Sequence, residues 1–87
     1  MLLPTTWSIN TFNNMVTFSK HALLKLGQRK LDKSFVLATL EHPDYTQFSH
    51  NGRMIALKKF RTLYMKVIFV RKGKDTIVLT QYWVKKI

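Results

Sequence analysis

The chain contains no cysteine, which excludes disulfides, thiolate nucleophiles and cysteine-ligated zinc in one step. That absence fits a reducing interior, and a cytoplasmic location is the expectation. Acids are almost as scarce. Asp32, Glu41, Asp44 and Asp75 are the only four in 87 residues. A metal-dependent nuclease needs clustered acids to hold its ions, and a two-carboxylate hydrolase needs a matched pair. This chain is poorly supplied for either. Gly27, Gly52 and Gly73 are the only glycines, so there is no glycine-rich phosphate loop. His21, His42 and His50 lie too far apart for a local metal motif. No metal and no cofactor is expected. No apolar run approaches the ~20 residues that span a bilayer. Residues 1–14 carry no Lys or Arg ahead of an apolar segment, so a secretory signal is not expected either.

What the chain has in excess is positive charge. Fifteen Lys and Arg against four acids give a formal +11. The acids cannot neutralise the basic side chains, so a compact fold carries a positive field over much of its surface. Such a field attracts polyanions and speeds their encounter. Nucleic acid is therefore the leading partner class. The plainer alternative is a basic protein whose charge only keeps it soluble. Hydrophobic residues make up 46% of the chain, enough for a globular domain rather than a disordered basic tail. At this length one domain is expected, with a core so small that nearly every apolar run must contribute to it.

Residues 1–14 differ from the rest, with Pro4, several Thr and Asn, and no charge. They read as an N-terminal extension, in which Trp7, Ile9 and Phe12 could form a short strand. The domain proper spans 15–87. Residues 15–18 read as a strand. Ser19 can cap a helix over 20–28, with Ala22, Leu23 and Leu26 on one side and Gly27 near its end. Asp32 can cap a second helix over 33–41, with Phe35, Val36, Thr39 and Leu40 as its apolar side and Leu31 as a staple before the cap. Pro43 ends that helix. The period then becomes strand-like. Strands are expected over 45–50, 53–60, 63–71 and 76–85, with turns at Asn51-Gly52, Arg61-Thr62 and 72–75. The order argues for an α+β fold, two N-terminal helices packed on a twisted, mainly antiparallel sheet of four or five strands.

Turn lengths set a register. It places Lys59 opposite Tyr64, Leu57 opposite Lys66, Lys66 opposite Gln81 and Tyr64 opposite Trp83. The helix-covered face then holds Met54, Ala56, Phe60, Leu63, Met65, Val67, Phe69 and Val78, with Lys58, Thr80 and Tyr82 as polar members. The other face gathers Lys59, Tyr64, Lys66, Gln81, Trp83 and Lys85 at one end. Cations interleaved with aromatic rings suit single-stranded nucleic acid, where phosphates meet Lys and bases lie on rings. A half-exposed sheet face with ordinary cross-strand pairs is the alternative. A slip of one residue would move Lys58 and Tyr82 into the cluster.

Metal-free RNA cleavage stays open to such a chain. The ribose 2′-hydroxyl attacks the adjacent phosphorus. The step needs a base for the hydroxyl, cations for the growing phosphate charge and an acid for the leaving oxygen. His21 is the natural acid–base candidate, because histidine titrates near neutrality. Tyr82 could move a proton, and Lys58, Lys59 and Lys66 could hold phosphate. Packing or local capping by His21, and packing by Tyr82, are the alternatives for those two.

The segments Ser19-Lys20-His21-Ala22 and Gln28-Arg29-Lys30-Leu31 resemble the "S-x-H-A … x-R-G-I" opening of a small domain family similar to the RelE/ParE toxin superfamily. Asn51-Gly52-Arg53, Ala56-Leu57-Lys58-Lys59-Phe60, Tyr64-Met65-Lys66-Val67 and Val78-Leu79-Thr80-Gln81-Tyr82-Trp83 resemble its hairpins and last strand. The resemblance covers roughly 15–87. It implies two helices on an antiparallel sheet and a ribonuclease-like activity. RelE-type members cut mRNA, often on the ribosome, with basic residues and a tyrosine and no metal. ParE-type members inhibit gyrase instead. His21 matches the family's most recognisable position, and Arg29, Lys58 and Tyr82 fall where it tends to keep polar residues. Lys30 stands where the pattern has Gly, so a different turn between the helices is expected.

The first functional expectation is a toxin of a toxin–antitoxin system, a metal-independent RNA endonuclease with His21, Lys58 and Tyr82 in catalysis. Arg29, Arg53, Lys59, Tyr64, Lys66, Trp83 and Lys85 would bind the RNA. Its partners would be RNA, in some cases ribosome-bound mRNA, and an antitoxin protein. A homodimer through exposed aromatic clusters or an edge strand is a further option, on a surface where an antitoxin could equally dock, and no membrane partner is expected. The second expectation is a non-catalytic nucleic-acid-binding or protein-interaction module on the same scaffold, gyrase inhibition included.

Overall fold

The computed structural model describes residues 15–86. The extension expected over 1–14 lies outside the described residues. The chain runs β1 (Met15–Phe18), α1 (Lys20–Gln28), α2 (Lys33–Glu41), β2 (Tyr45–Phe48), a 3-10 turn at His50–Gly52, β3 (Met54–Phe60), β4 (Leu63–Lys72) and β5 (Asp75–Val84). One five-stranded mixed sheet has the order β1-β5-β4-β3-β2. Its pairs are antiparallel except β1 with β5, which is parallel. The fold is α+β, with a mainly antiparallel sheet. No helix among the described residues is long and apolar enough to cross a membrane.

Local chemistry explains both helices. Ser19 is extended and its hydroxyl accepts from the Ala22 N–H at 3.0 Å, the bond expected of an N-cap. Asp32 caps α2 by accepting from the Ser34 N–H at 2.9 Å. That backbone bond, with a lesser one from the Ser34 side chain, holds the Asp32 carboxyl below its ordinary range. A depressed carboxyl helps the fold at pH above its unfolded value and loses that help as pH falls through the folded one.

Gly27 does not end α1, as the sequence suggested. It lies inside the helix, and the end is made by Lys30, whose φ of 52° is left-handed. The Leu31 N–H bonds the Leu26 carbonyl at 2.9 Å, and the Lys30 N–H bonds the Gly27 carbonyl at 3.2 Å. These are the two bonds of a Schellman motif, in which glycine is the usual left-handed residue. Lys30 therefore takes the conformation that Gly would adopt at no steric cost. Lys30→Gly is expected to stabilise the protein by about 1 kcal/mol, from the strain a Cβ meets in that region. Gly27→Ala should add ~0.5–1 kcal/mol, since a Cβ there meets nothing within 4 Å. Urea midpoints of the two variants check both; a lower midpoint for Lys30→Gly would contradict the motif.

The core lies between the helices and one sheet face. Ala22 and Leu26 of α1 and Val36 of α2 cluster with Ala56, Met65, Val67, Phe69 and Val78 of the sheet. Each such buried side chain contributes roughly 1.5–3 kcal/mol for the larger members. Leu23, expected on the apolar side of α1, is instead 47% exposed. Only the i, i+4 pair Ala22 and Leu26 points at the sheet, and Leu23 lies about 100° round the helix from Ala22. At the far end Phe35 of α2 meets Phe60 and Trp83 edge-on, with ring centroids 5.0 and 5.2 Å away.

The expected register holds for Lys59 with Tyr64 and Leu57 with Lys66. It also holds across the last hairpin from Arg71–Thr76 to Phe69–Val78. There it breaks. A bulge between Ile68 and Phe69 leaves Leu79 as an extra residue on β5, and Ile68 pairs with Thr80. Beyond it Lys66 faces Tyr82 rather than Gln81, and Tyr64 faces Val84 rather than Trp83. One extra residue exchanges the faces of everything after it. Thr80 and Tyr82 move to the open face. Gln81 and Trp83 move beneath the helices.

Gln81 becomes the polar tie between sheet and helix. Its side chain is fully buried, and Nε2 donates to the Ala22 carbonyl at 3.0 Å. Its Oε1 is buried with no partner.

Candidate nucleic-acid interface

The sheet face away from the helices carries three rows of side chains set by cross-strand pairing. The middle row is Tyr45, Leu57, Lys66 and Tyr82, each opposite the next. At ~4.8 Å per strand this row is about 14 Å wide. One flank is Lys59, Tyr64 and Val84; the other is Gln47, Ile55, Ile68 and Thr80. All three tyrosines of the chain thus lie on this one face.

Cations stand against these rings. Lys59 Nζ lies 5.9 Å from the Tyr64 centroid. The Tyr45 and Tyr64 rings are 6.4 Å apart and tilted by 52°. Tyr82 has two cations, Lys66 Nζ at 5.7 Å and the Arg29 guanidinium carbon at 5.5 Å. Arg29 caps the C-terminus of α1, and the left-handed turn at Lys30 follows it. Its Nη1 donates to the Gln81 carbonyl at 2.8 Å, which holds the guanidinium beside the neighbouring Tyr82. Such contacts keep a cation close to a ring face, at ~0.5–1 kcal/mol each where exposed.

His21 sits in the first turn of α1 and is exposed. It lines an open depression of about 490 Å³ with Ser19, Arg53, Ile68, Leu79 and Thr80. The bulge builds one wall of it through Leu79. Ser19 fixes the helix start against that wall: its N–H bonds the Val78 carbonyl at 2.9 Å, and its hydroxyl donates to the Leu79 carbonyl at 3.3 Å. Thr80 and Tyr82 alternate along β5 on the same face, so the depression adjoins Tyr82 at ~7 Å, two residues at ~3.4 Å each.

Seven of the ten residues singled out in the sequence come together along this face: His21, Arg29, Arg53, Lys59, Tyr64, Lys66 and Tyr82. Three do not. Lys58 pairs with Met65 on the helix side, and its Nζ donates to the His42 carbonyl at 3.0 Å. His42 is the C-cap of α2, so this ammonium serves a free helix carbonyl and the negative end of the helix dipole. Trp83 is held between Phe35 and Phe60. Lys85 follows the end of β5 and is exposed.

Tyr45 and Gln47 were missed. A two-residue turn at Asn51-Gly52 would pair Tyr45 with Lys58, on the helix side. The actual connection is longer, with Asn51 and Gly52 both at positive φ and the Ser49 N–H bonded to the Arg53 carbonyl. It pairs Tyr45 with Leu57 and turns the ring to the open face.

Among the described residues no three His, Asp or Glu side chains come close enough to hold a metal ion. The carboxylates of Asp32 and Asp44 are directed at the main-chain N–H groups of Ser34 and Lys59. Comparison with known proteins finds no family model, no curated protein and no solved structure that matches this chain.

Proposed function

We propose that this chain is a RelE-like, metal-independent RNA endonuclease that lays single-stranded RNA across the open sheet face. The observation that carries the reading is the convergence on that face of three tyrosines, the cations Arg29, Lys59 and Lys66, and the His21–Arg53 depression. Unstacked bases suit tyrosine rings, and a duplex cannot offer them. The N-terminal and final-strand motifs, which resemble a small domain family similar to the RelE/ParE superfamily, add support, and with them a role as a toxin restrained by an antitoxin.

In this mechanism the RNA backbone crosses from the Tyr64 side to the depression. His21 takes the proton of a ribose 2′-hydroxyl, whose oxygen attacks the adjacent phosphorus. Arg53 and Arg29 hold the phosphate oxygens as charge builds on them. The bond to the 5′-oxygen breaks, and Tyr82 supplies the proton that oxygen takes up. The products are a 2′,3′-cyclic phosphate and a free 5′-hydroxyl. Lys58 is left out, because its ammonium is engaged with the His42 carbonyl.

That engagement also favours a second reading, in which the same face binds RNA without cutting it. Both readings predict binding driven by phosphate contacts. Phosphate contacts from Arg29, Arg53, Lys59 and Lys66 should give log affinity against log salt a slope of about −3, at ~0.7 per phosphate for single strands. Lys59→Ala should reduce the slope by ~0.7. Fluorescence anisotropy with a labelled single strand measures both. A flat salt curve, or a duplex bound as tightly as a single strand, would contradict the interface.

A further inference from the structure

The open face contains a second concavity, separate from the His21 depression, at the opposite end of the middle row. Its volume is about 310 Å³, and it is lined by Tyr45, Gln47, Leu57, Lys66, Val84 and Lys86, among others. That is the small end of ligand pockets, which run roughly 300–1,000 Å³. The size suits one planar ring system better than a whole nucleotide.

The lining has two parts. Leu57, only 5% exposed, and Val84 form an apolar floor. Tyr45, 53% exposed, offers a ring face at the rim. An apolar floor beside an aromatic ring gains nothing from a phosphate and gains stacking and dispersion from a base. The polar part is Lys66, Lys86, Thr46 and the Gln47 amide. The two ammonium groups can only donate hydrogen bonds, whereas the amide can donate or accept.

That asymmetry discriminates between bases. Guanine offers two acceptors, O6 and N7, and lysine is a favoured partner for that edge. Guanine's remaining N–H groups can be met by the Gln47 carbonyl oxygen. Uracil offers a carbonyl acceptor but a smaller ring. Adenine and cytosine have acceptors too, but each sits beside an exocyclic amine that turns a donor toward a donor, so neither offers the paired acceptor edge of guanine. Position matters as well. Lys66 belongs to the pocket lining and also lies 5.7 Å from the Tyr82 centroid. Tyr45 and Tyr82 stand at the two ends of one cross-strand row about 14 Å wide. A base seated on Tyr45 is thus a nucleotide or two from the phosphate beside Tyr82.

We infer that this concavity is a base-reading subsite that prefers guanine at a fixed distance from the bond to be cut. The inference rests on the proposal that single-stranded RNA lies across this face, and it goes further by assigning sequence preference to Tyr45, Gln47, Lys66 and Lys86.

The test uses short 2′-O-methyl RNAs, which the proposed chemistry cannot cleave. Each is an adenine tract with one guanine, uracil or cytosine at successive positions. Anisotropy titrations with the full chain should show one position where guanine tightens binding ~5- to 20-fold over adenine, the low end of bidentate base discrimination because the site is open. Uracil and cytosine should each gain less there than guanine. Gln47→Leu and Lys86→Ala should each shrink the guanine-to-adenine ratio, with the melting temperature monitored alongside. Equal affinity for all bases at every position would overturn the subsite and leave the RNA-binding reading standing. Failure to bind any of these RNAs would overturn both.

Discussion

Replacing His21 with alanine is expected to lower the rate of RNA cleavage by ~10²- to 10⁴-fold, the range over which a positioned acid or base usually acts. Tyr82→Phe should fall in the same range, because it removes the proton but keeps the ring. The two differ in what else they disturb. His21 is exposed at the start of α1, and the cap of that helix is made by Ser19, so the alanine variant should fold as the parent does. The phenyl ring left at position 82 still offers a face to Arg29 and Lys66, the two cations that stand within 6 Å of the tyrosine. Single-turnover rates beside RNA affinities separate chemistry from binding. Rates unchanged in both variants would remove these residues from the mechanism. Lost affinity with an unchanged single-turnover rate would make them binding residues.

Gln81→Glu should have the largest effect on stability. Gln81 is fully buried, its amide N–H group reaches the Ala22 carbonyl, and its Oε1 already lacks a partner. A carboxylate there would face that carbonyl with a charge and no donor. Burial raises the pKa of such an acid in the folded state. Stability is then lost as pH rises above the unfolded value of ~4.3, by ~1.36 kcal/mol per unit. If the folded pKa reaches 7 or above, the deficit at pH 7 is about 4 kcal/mol, much of the ~5–15 kcal/mol that holds a typical domain. Near pH 4 the neutral acid can donate its O–H to Ala22, and the variant should approach the parent. Gln81→Leu should be much milder, since it removes the orphaned oxygen together with the hydrogen bond. Urea titrations at several pH values check this. A Gln81→Glu deficit constant across pH would show that the side chain escapes to solvent.

Much of the fold was legible because its signals are local. Ser19 and Asp32 announce the two helices, Pro43 closes the second, and Arg61-Thr62 joins two strands in the register its length implies. The sheet's alternation correctly placed Ala56, Met65, Val67 and Phe69 beneath the helices. What escaped depended on single residues without a sequence mark. Val78-Leu79-Thr80 reads as unbroken strand, with no glycine to signal the bulge that Leu79 makes. Yet that residue decides that Tyr82 faces out and Trp83 faces in. The parallel pairing of β1 with β5 joins the two ends of the domain and leaves no local signature. Lysine gives no mark of the left-handed conformation at position 30; only the Gly of the resembling pattern pointed there, and the turn expected to differ is one in which Lys30 takes the conformation that suits Gly. Lys58 looked like its neighbours in the sequence, and only the fold brings the C-cap of α2 within its reach.

The most direct test of the central claim is to incubate the purified protein with a long single-stranded RNA in excess chelator, and in parallel with mRNA on translating ribosomes. A His21→Ala, Tyr82→Phe double variant runs beside it. Cleavage by the parent alone, leaving 2′,3′-cyclic phosphate and 5′-hydroxyl ends, is the predicted result. Intact RNA in both settings, with the RNA bound and released by salt, would contradict the endonuclease and leave a binding face on the same sheet.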